Sequence, residues 1–149
     1  MKGMIVGLDL DTSEESMALL YLAIVQALAY NVRYMFESIA ASGVTTPKVV
    51  VICGGLANNH LYVQTHADIV GIPFVKSRCP EPVLLGSAIL ASVAAGDYST
   101  VDDACSGMRQ SGDIIYPNNN VSLKTFHLKK YHVYRKLLTD QLEILSMMK

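Results

Sequence analysis

Residues 48–53 read KVVVIC, and Gly54 and Gly55 follow at once. A strand with one wet face alternates polar and apolar residues, and this run does not. It suits a strand covered on both faces, as in the parallel sheet of an α/β protein. A helical pattern then runs from about Asn58 to Val70, with Asn58 as a cap and Gly71 at its end. Residues 73–76 form a second short apolar run. Strand, turn, helix and strand in that order predict parallel pairing with helices packed on the sheet.

The flanking segments fit the same class. Residues 3–10 are β-branched and aliphatic, and predict another strand. Thr12 with Glu15 three residues on has the spacing of a capping box. A long helix over residues 13–41 is expected to follow, buried nearly all round at its middle, because Leu19, Leu22 and Val25 fill the face opposite Leu20, Ile24 and Leu28. A third helix over residues 82–95 starts at a proline and is small-sided through Gly86, Ser87, Ala88, Ala91 and Ala94. Close helix–sheet packing is the expected cause. A turn and short helix (97–108), an extended segment (113–117) and a last helix (122–148) complete the chain. The prediction is one α/β domain with a short, mostly parallel sheet.

Composition removes several functions. The 149 residues carry 12 Lys and Arg against 13 Asp and Glu, a formal charge of −1. That balance offers no bulk attraction to nucleic acid. The longest uncharged run, residues 16–32, is interrupted by Gln26 and Asn31, and reads as a core helix rather than a membrane span. With no targeting segment, the cytoplasm is the default expectation. The cysteines, Cys53, Cys79 and Cys105, are odd in number and form no C-x-x-C, so they are expected to be buried structural thiols. The four histidines lack metal-binding spacing, and no serine sits in a hydrolase elbow. No catalytic residue and no metal ligand is assigned.

The strand–turn–helix around Gly54 and Gly55 is the place where a ligand fits. Ligands of open α/β sheets bind beyond the carboxyl ends of the strands. Two residues without Cβ let the backbone lie against a bulky ligand, and the helix start offers unpaired N–H groups. Asn58 or Asn59 supplies a side-chain amide. The alternative is a plain Gly-Gly turn, with Asn59 only a helix cap. Neither G-x-G-x-x-G nor a P-loop occurs.

GGLANNHLYVQTHADIVGIPFV, followed by EPVLLGSAILASVAAGDY, resembles the C-terminal signature region of the FGGY family of carbohydrate kinases. The matching positions are Gly54, Gly55, Asn59, Gln64, Ala67, Asp68, Glu81, Gly86 and Ala88. GMIVGLDLDTS, QALAYNVRYMFESI and KKYHVYRKL extend the likeness outwards over nearly the whole chain. HADI with G-I-P looks closest to the pentulose-kinase, ribulokinase-like branch.

The resemblance implies an actin-like, ribonuclease-H-like ATPase domain, incomplete at its N-terminal side. In the complete enzyme MgATP phosphorylates a sugar, a ketopentose such as D-ribulose. Gly54, Gly55 and Asn59 are then expected at ATP, while Gln64 and Asp68 fix their helix against its neighbours. The N-terminal kinase domain, with the sugar site and the catalytic carboxylate, has no counterpart in this sequence, so the chain alone is expected to be inactive. Asp9 and Asp11 do not match the family's phosphate loop, because Asp11 stands where glycine is needed. The alternative is a stand-alone binding or regulatory module, with a partner or a homodimer covering its open face.

Overall fold

The structure, a computed structural model, describes residues 3–148. In chain order it contains α1 (Glu14–Ala41), β1 (Val50–Ile52), a 3₁₀ turn (Gly55–Asn58), α2 (His60–Val70), β2 (Phe74–Ser77), α3 (Pro82–Ala94), α4 (Val101–Met108), β3 (Gly112–Ile115) and α5 (Val121–Met147). β1 and β2 pair in parallel, with Val50 opposite Phe74. β3 pairs antiparallel with β2, with Val75 opposite Ile114. The sheet is therefore mixed and not mostly parallel. The two expected helices, α3 and α4, stand between β2 and β3, and the chain re-enters the sheet from the opposite end.

α2 is the centre of the packing. One side covers a single face of the sheet, burying Val63, Ala67 and Phe74 with Val50, Ile52 and Ile115 around them. Its other side meets α1 and α5, where Ala29, Tyr30, Ile69 and Tyr131 form a second cluster. Gln26 is buried there and accepts a hydrogen bond from Lys130 Nζ at 2.6 Å. α1 is long and apolar enough to cross a bilayer by length and composition. A buried amide paired across to α5 is the arrangement of a core helix. Only Val25, Gln26, Ala29 and Tyr30 of α1 are buried, while Leu19, Ile24 and Leu28 remain about half exposed. The expectation of all-round burial fails because α2 and α5 reach one side of the helix.

Four further expectations are corrected. Residues 3–10 form no strand, and Leu10 is 98% exposed. A strand needs a neighbour to take its N–H and C=O groups, and among the described residues none pairs with this segment. The sheet is covered on one face only: Val51 of β1 is 70% exposed and Ile114 of β3 52%. The small-sided α3 packs against α4 and buries no residue, so close packing on the sheet does not explain its composition. The cysteines are free, with Cys53 and Cys105 exposed and Cys79 half-buried. They lie at strand ends and on the outside of α4, away from both apolar clusters.

Helix starts shift by a residue. Ser13, not Thr12, caps α1, its Oγ accepting the Ser16 N–H at 3.1 Å. Asn59, not Asn58, caps α2.

Candidate functional site at the carboxyl ends of β1 and β2

β1 ends at Ile52, and the chain must turn sharply to enter α2. Gly54 makes that turn with φ +89° and ψ −179°, a conformation essentially restricted to glycine. Its carbonyl accepts the Ala57 N–H at 3.1 Å and so starts the 3₁₀ turn. A Cβ on Gly55 would meet nothing within 4 Å. Backbone, with open space before it, is what Gly55 presents.

That space is a cleft of about 890 Å³. Its walls are Cys53, Gly54, Gly55 and Asn58 beyond β1, Lys76 to Cys79 at and beyond β2, and Glu81 to Val83 at the start of α3. Asp113 of β3 closes one side. Arg78 donates to Asp113 through Nε at 2.9 Å, which holds the Asp113 carboxyl below the ordinary carboxylate range. Glu81 precedes Pro82 at the start of α3 and makes no side-chain capping bond to it. The N-terminal N–H groups of α3 therefore lie at the cleft wall with no side-chain cap.

Gly54 and Gly55 thus lie together on one wall. Asn59 does not join them. Its Oδ1 accepts the Tyr62 N–H at 3.2 Å, and its Nδ2 donates to the Tyr21 hydroxyl at 2.8 Å. Both ends of the amide are occupied by the protein, tying α2 to α1, and Asn58 takes the lining position. Gln64 and Asp68 lie away from the cleft. Gln64 Nε2 donates to Asp68 Oδ1 at 2.8 Å and to the Tyr116 carbonyl at 3.0 Å. Asp68 Oδ1 also accepts the Asn118 N–H at 2.7 Å. The pair pins α2 to the loop that enters α5, a structural tie. Asp9 and Asp11 lie in the exposed N-terminal segment.

Sequence reasoning missed Lys76, Arg78 and Asp113. The signal for the first two was present: they stand two residues apart, on one side of an extended chain, at the end of a strand parallel to β1. Asp113 depends on the antiparallel placement of β3, which leaves no local mark.

A second groove of about 560 Å³ lies between α1, α2 and α5. Several of its polar side chains are already engaged: Arg33 with Glu37 at 3.1 Å, Asp68 as described, and His127 Nδ1 with the Tyr30 hydroxyl at 2.9 Å. Burial lowers the pKa of His127 and raises that of Tyr30 to about 12. His66 is buried too. Its Nδ1 donates to the Tyr62 carbonyl at 2.7 Å, and its Nε2 has no partner. Burial lowers its pKa against the pull of that carbonyl. Among the described residues no three His, Cys, Asp or Glu side chains gather to hold a metal ion.

The FGGY family of carbohydrate kinases, C-terminal domain, matches residues 1–95. The chain belongs to this family. A Xenopus laevis FGGY carbohydrate kinase domain-containing protein is 43% identical over 150 residues, which cover 99% of this chain and 26% of the relative. A ribulokinase from Mycolicibacterium smegmatis is 36% identical over 108 residues, 72% of this chain and 18% of the relative. The chain therefore spans about a quarter of the length of such FGGY proteins. Among solved structures, xylulose kinase from Rhodospirillum rubrum superposes with a TM-score of 0.76, covering 97% of this chain and 28% of that one at 19% identity. Plasmodium falciparum glycerol kinase with ADP superposes at 0.68, covering 93% and 26% at 19% identity. The fold of this FGGY chain is that of the sugar kinases, and kinases named for different substrates share it.

Proposed function

We propose that this FGGY chain supplies the nucleotide half of an ATP-dependent sugar kinase, and that the complete enzyme phosphorylates a ketopentose such as D-ribulose. The observation that carries the reading is the cleft beyond the parallel strands, where Gly54 and Gly55 leave backbone bare to a ligand. ATP fits such a wall. The base and sugar lie against backbone that has no Cβ, and the phosphates take the N–H groups at the start of α3 together with Lys76 and Arg78. Mg²⁺ enters with the phosphates, whose charge it shields, since magnesium is commonly held by one or two carboxylates plus phosphate oxygens.

The glycerol kinase neighbour with ADP supports the nucleotide. The ribulokinase relative and the xylulose kinase neighbour support the ketopentose. Phosphoryl transfer also needs a group that accepts the sugar hydroxyl proton. That group, with the sugar site, belongs to an N-terminal kinase domain. Two features support such a partner: the outer edge of β1, which no strand among the described residues pairs, and the bare apolar face carrying Val51 and Ile114. We place the enzyme in the cytoplasm.

The bare face equally favours a second reading, a catalytically inactive binding module whose partner or second copy covers it. Native product mass separates the two. An antibody against α5 should detect a protein several-fold larger than 16.2 kDa in source cells, with ATP turnover dependent on added ketopentose. A native product near 16.2 kDa, without turnover, overturns the kinase reading in favour of the module.

A further inference from the structure

Two of the three cysteines line the same cleft. Cys53 is the residue between β1 and Gly54, and is exposed. Cys79 lies two residues beyond β2, half-buried, in a loop folded back by its own N–H, which donates to Ser77 Oγ at 3.1 Å. They reach one cavity because β1 and β2 are parallel neighbours: Ile52 is opposite Lys76, so both chains leave the sheet at the same end. Cys105 is exposed as well, but stands on α4 and does not line the cleft.

We propose that Cys53 and Cys79 form a thiol-modification site in the cleft, taken by small soluble disulfides of the glutathione type, and that the adduct excludes the nucleotide. The proposal rests on the nucleotide reading of the same cleft for its consequence, though not for its chemistry. The step balances as thiol–disulfide exchange. A cysteine thiol gives up its proton, and its sulfur attacks one sulfur of the small disulfide. The old S–S bond breaks and a mixed disulfide forms. The second half of the reagent leaves as a thiolate that takes up a proton. The protein sulfur is oxidised and the reagent reduced. An adduct on Cys53 is attached one residue from Gly54, so it occupies the space that the absent glycine side chains leave open. Neither thiol is tied up in a disulfide, since all three cysteines are free.

The test uses the 149-residue chain, oxidised glutathione and peptide mass spectrometry, with MgATP affinity measured separately by calorimetry. Mixed disulfides should appear on Cys53 and Cys79. If modification needs an empty cleft, MgATP at ten times its dissociation constant slows both about tenfold and leaves Cys105 unaffected. The treated chain should lose nucleotide binding and regain it with a reductant. In a Cys53→Ser, Cys79→Ser variant, whatever affinity it has for MgATP should not respond to oxidised glutathione. Adducts on Cys105 without adducts on Cys53 or Cys79 overturn the thiol site whether or not nucleotide binds. Nucleotide binding that neither protects the two thiols nor is lost on their modification overturns the exclusion. Failure of the untreated chain to bind MgATP overturns the nucleotide reading instead.

Discussion

Replacing Gly54 by alanine separates backbone strain from every other effect at this site. Gly54 holds φ +89° and ψ −179°, and a Cβ there would touch nothing within 4 Å. No steric clash enters, so the cost is conformational. A non-glycine residue held in this region costs on the order of 1–3 kcal/mol. Alanine also restricts the unfolded chain, which returns roughly 0.4–1 kcal/mol. The net loss expected is about 1–2 kcal/mol. Relief by rotation would break the bond from the Ala57 N–H to the Gly54 carbonyl, which starts the 3₁₀ turn, so that route is not free either. With a urea slope of about 2 kcal/mol/M, the unfolding midpoint should fall by roughly 0.5–1 M. Gly55→Ala is the control. Gly55 lacks the positive φ and has the same open space, so its midpoint should move by less than about 0.3 M in either direction. Equal midpoints for Gly54→Ala and the parent chain, or an equal loss in Gly55→Ala, would refute the argument.

Three further outcomes follow from the packing. A leucine at Gly55 should leave the fold intact and weaken MgATP binding at least about tenfold, because its side chain fills the cleft; calorimetry with unchanged affinity removes Gly55 from the site. Asp68→Ala strips the acceptor shared by Gln64 Nε2 and the Asn118 N–H, and should cost about 1–3 kcal/mol in urea unfolding, while Asp140→Ala, an exposed ion pair with Lys136, should cost less than about 1 kcal/mol. Acidification should destabilise the chain through His66 and His127. Both have folded pKa values below the unfolded value near 6.5, so below that pH the unfolded state binds the extra protons. Stability is then retained at neutral pH and lost as pH falls below about 6.5. A flat urea midpoint across that range would contradict the burial of both rings.

The sequence made some of this legible and hid the rest for identifiable reasons. The KVVVIC run with its glycine pair located β1 and the turn, since a continuous apolar strand and a residue without Cβ are local facts. Gln64 and Asp68 were expected to fix α2, and their shared contacts to Tyr116 and Asn118 are of that kind. The same apolar run implied cover on two faces, which this chain provides on one. The apolar residues of 3–10, of α1 and of Val51 stay largely exposed in this chain, and periodicity alone does not say which neighbours a chain brings to them. The direction of β3 was hidden because α3 and α4 together reverse the chain, a tertiary outcome. Asn59 shows the limit at the site itself: its position matches the family signature, yet its amide is committed to Tyr62 and Tyr21, while Asn58 faces the cleft.

Amide hydrogen exchange of the chain with and without MgATP tests the central claim most directly. The account predicts slower exchange from Gly54 to Asn58 and from Arg78 to Val83, with Asp68 to Ile72 beside the second groove unchanged. Protection confined to the second groove, or no change anywhere at saturating nucleotide, would contradict it.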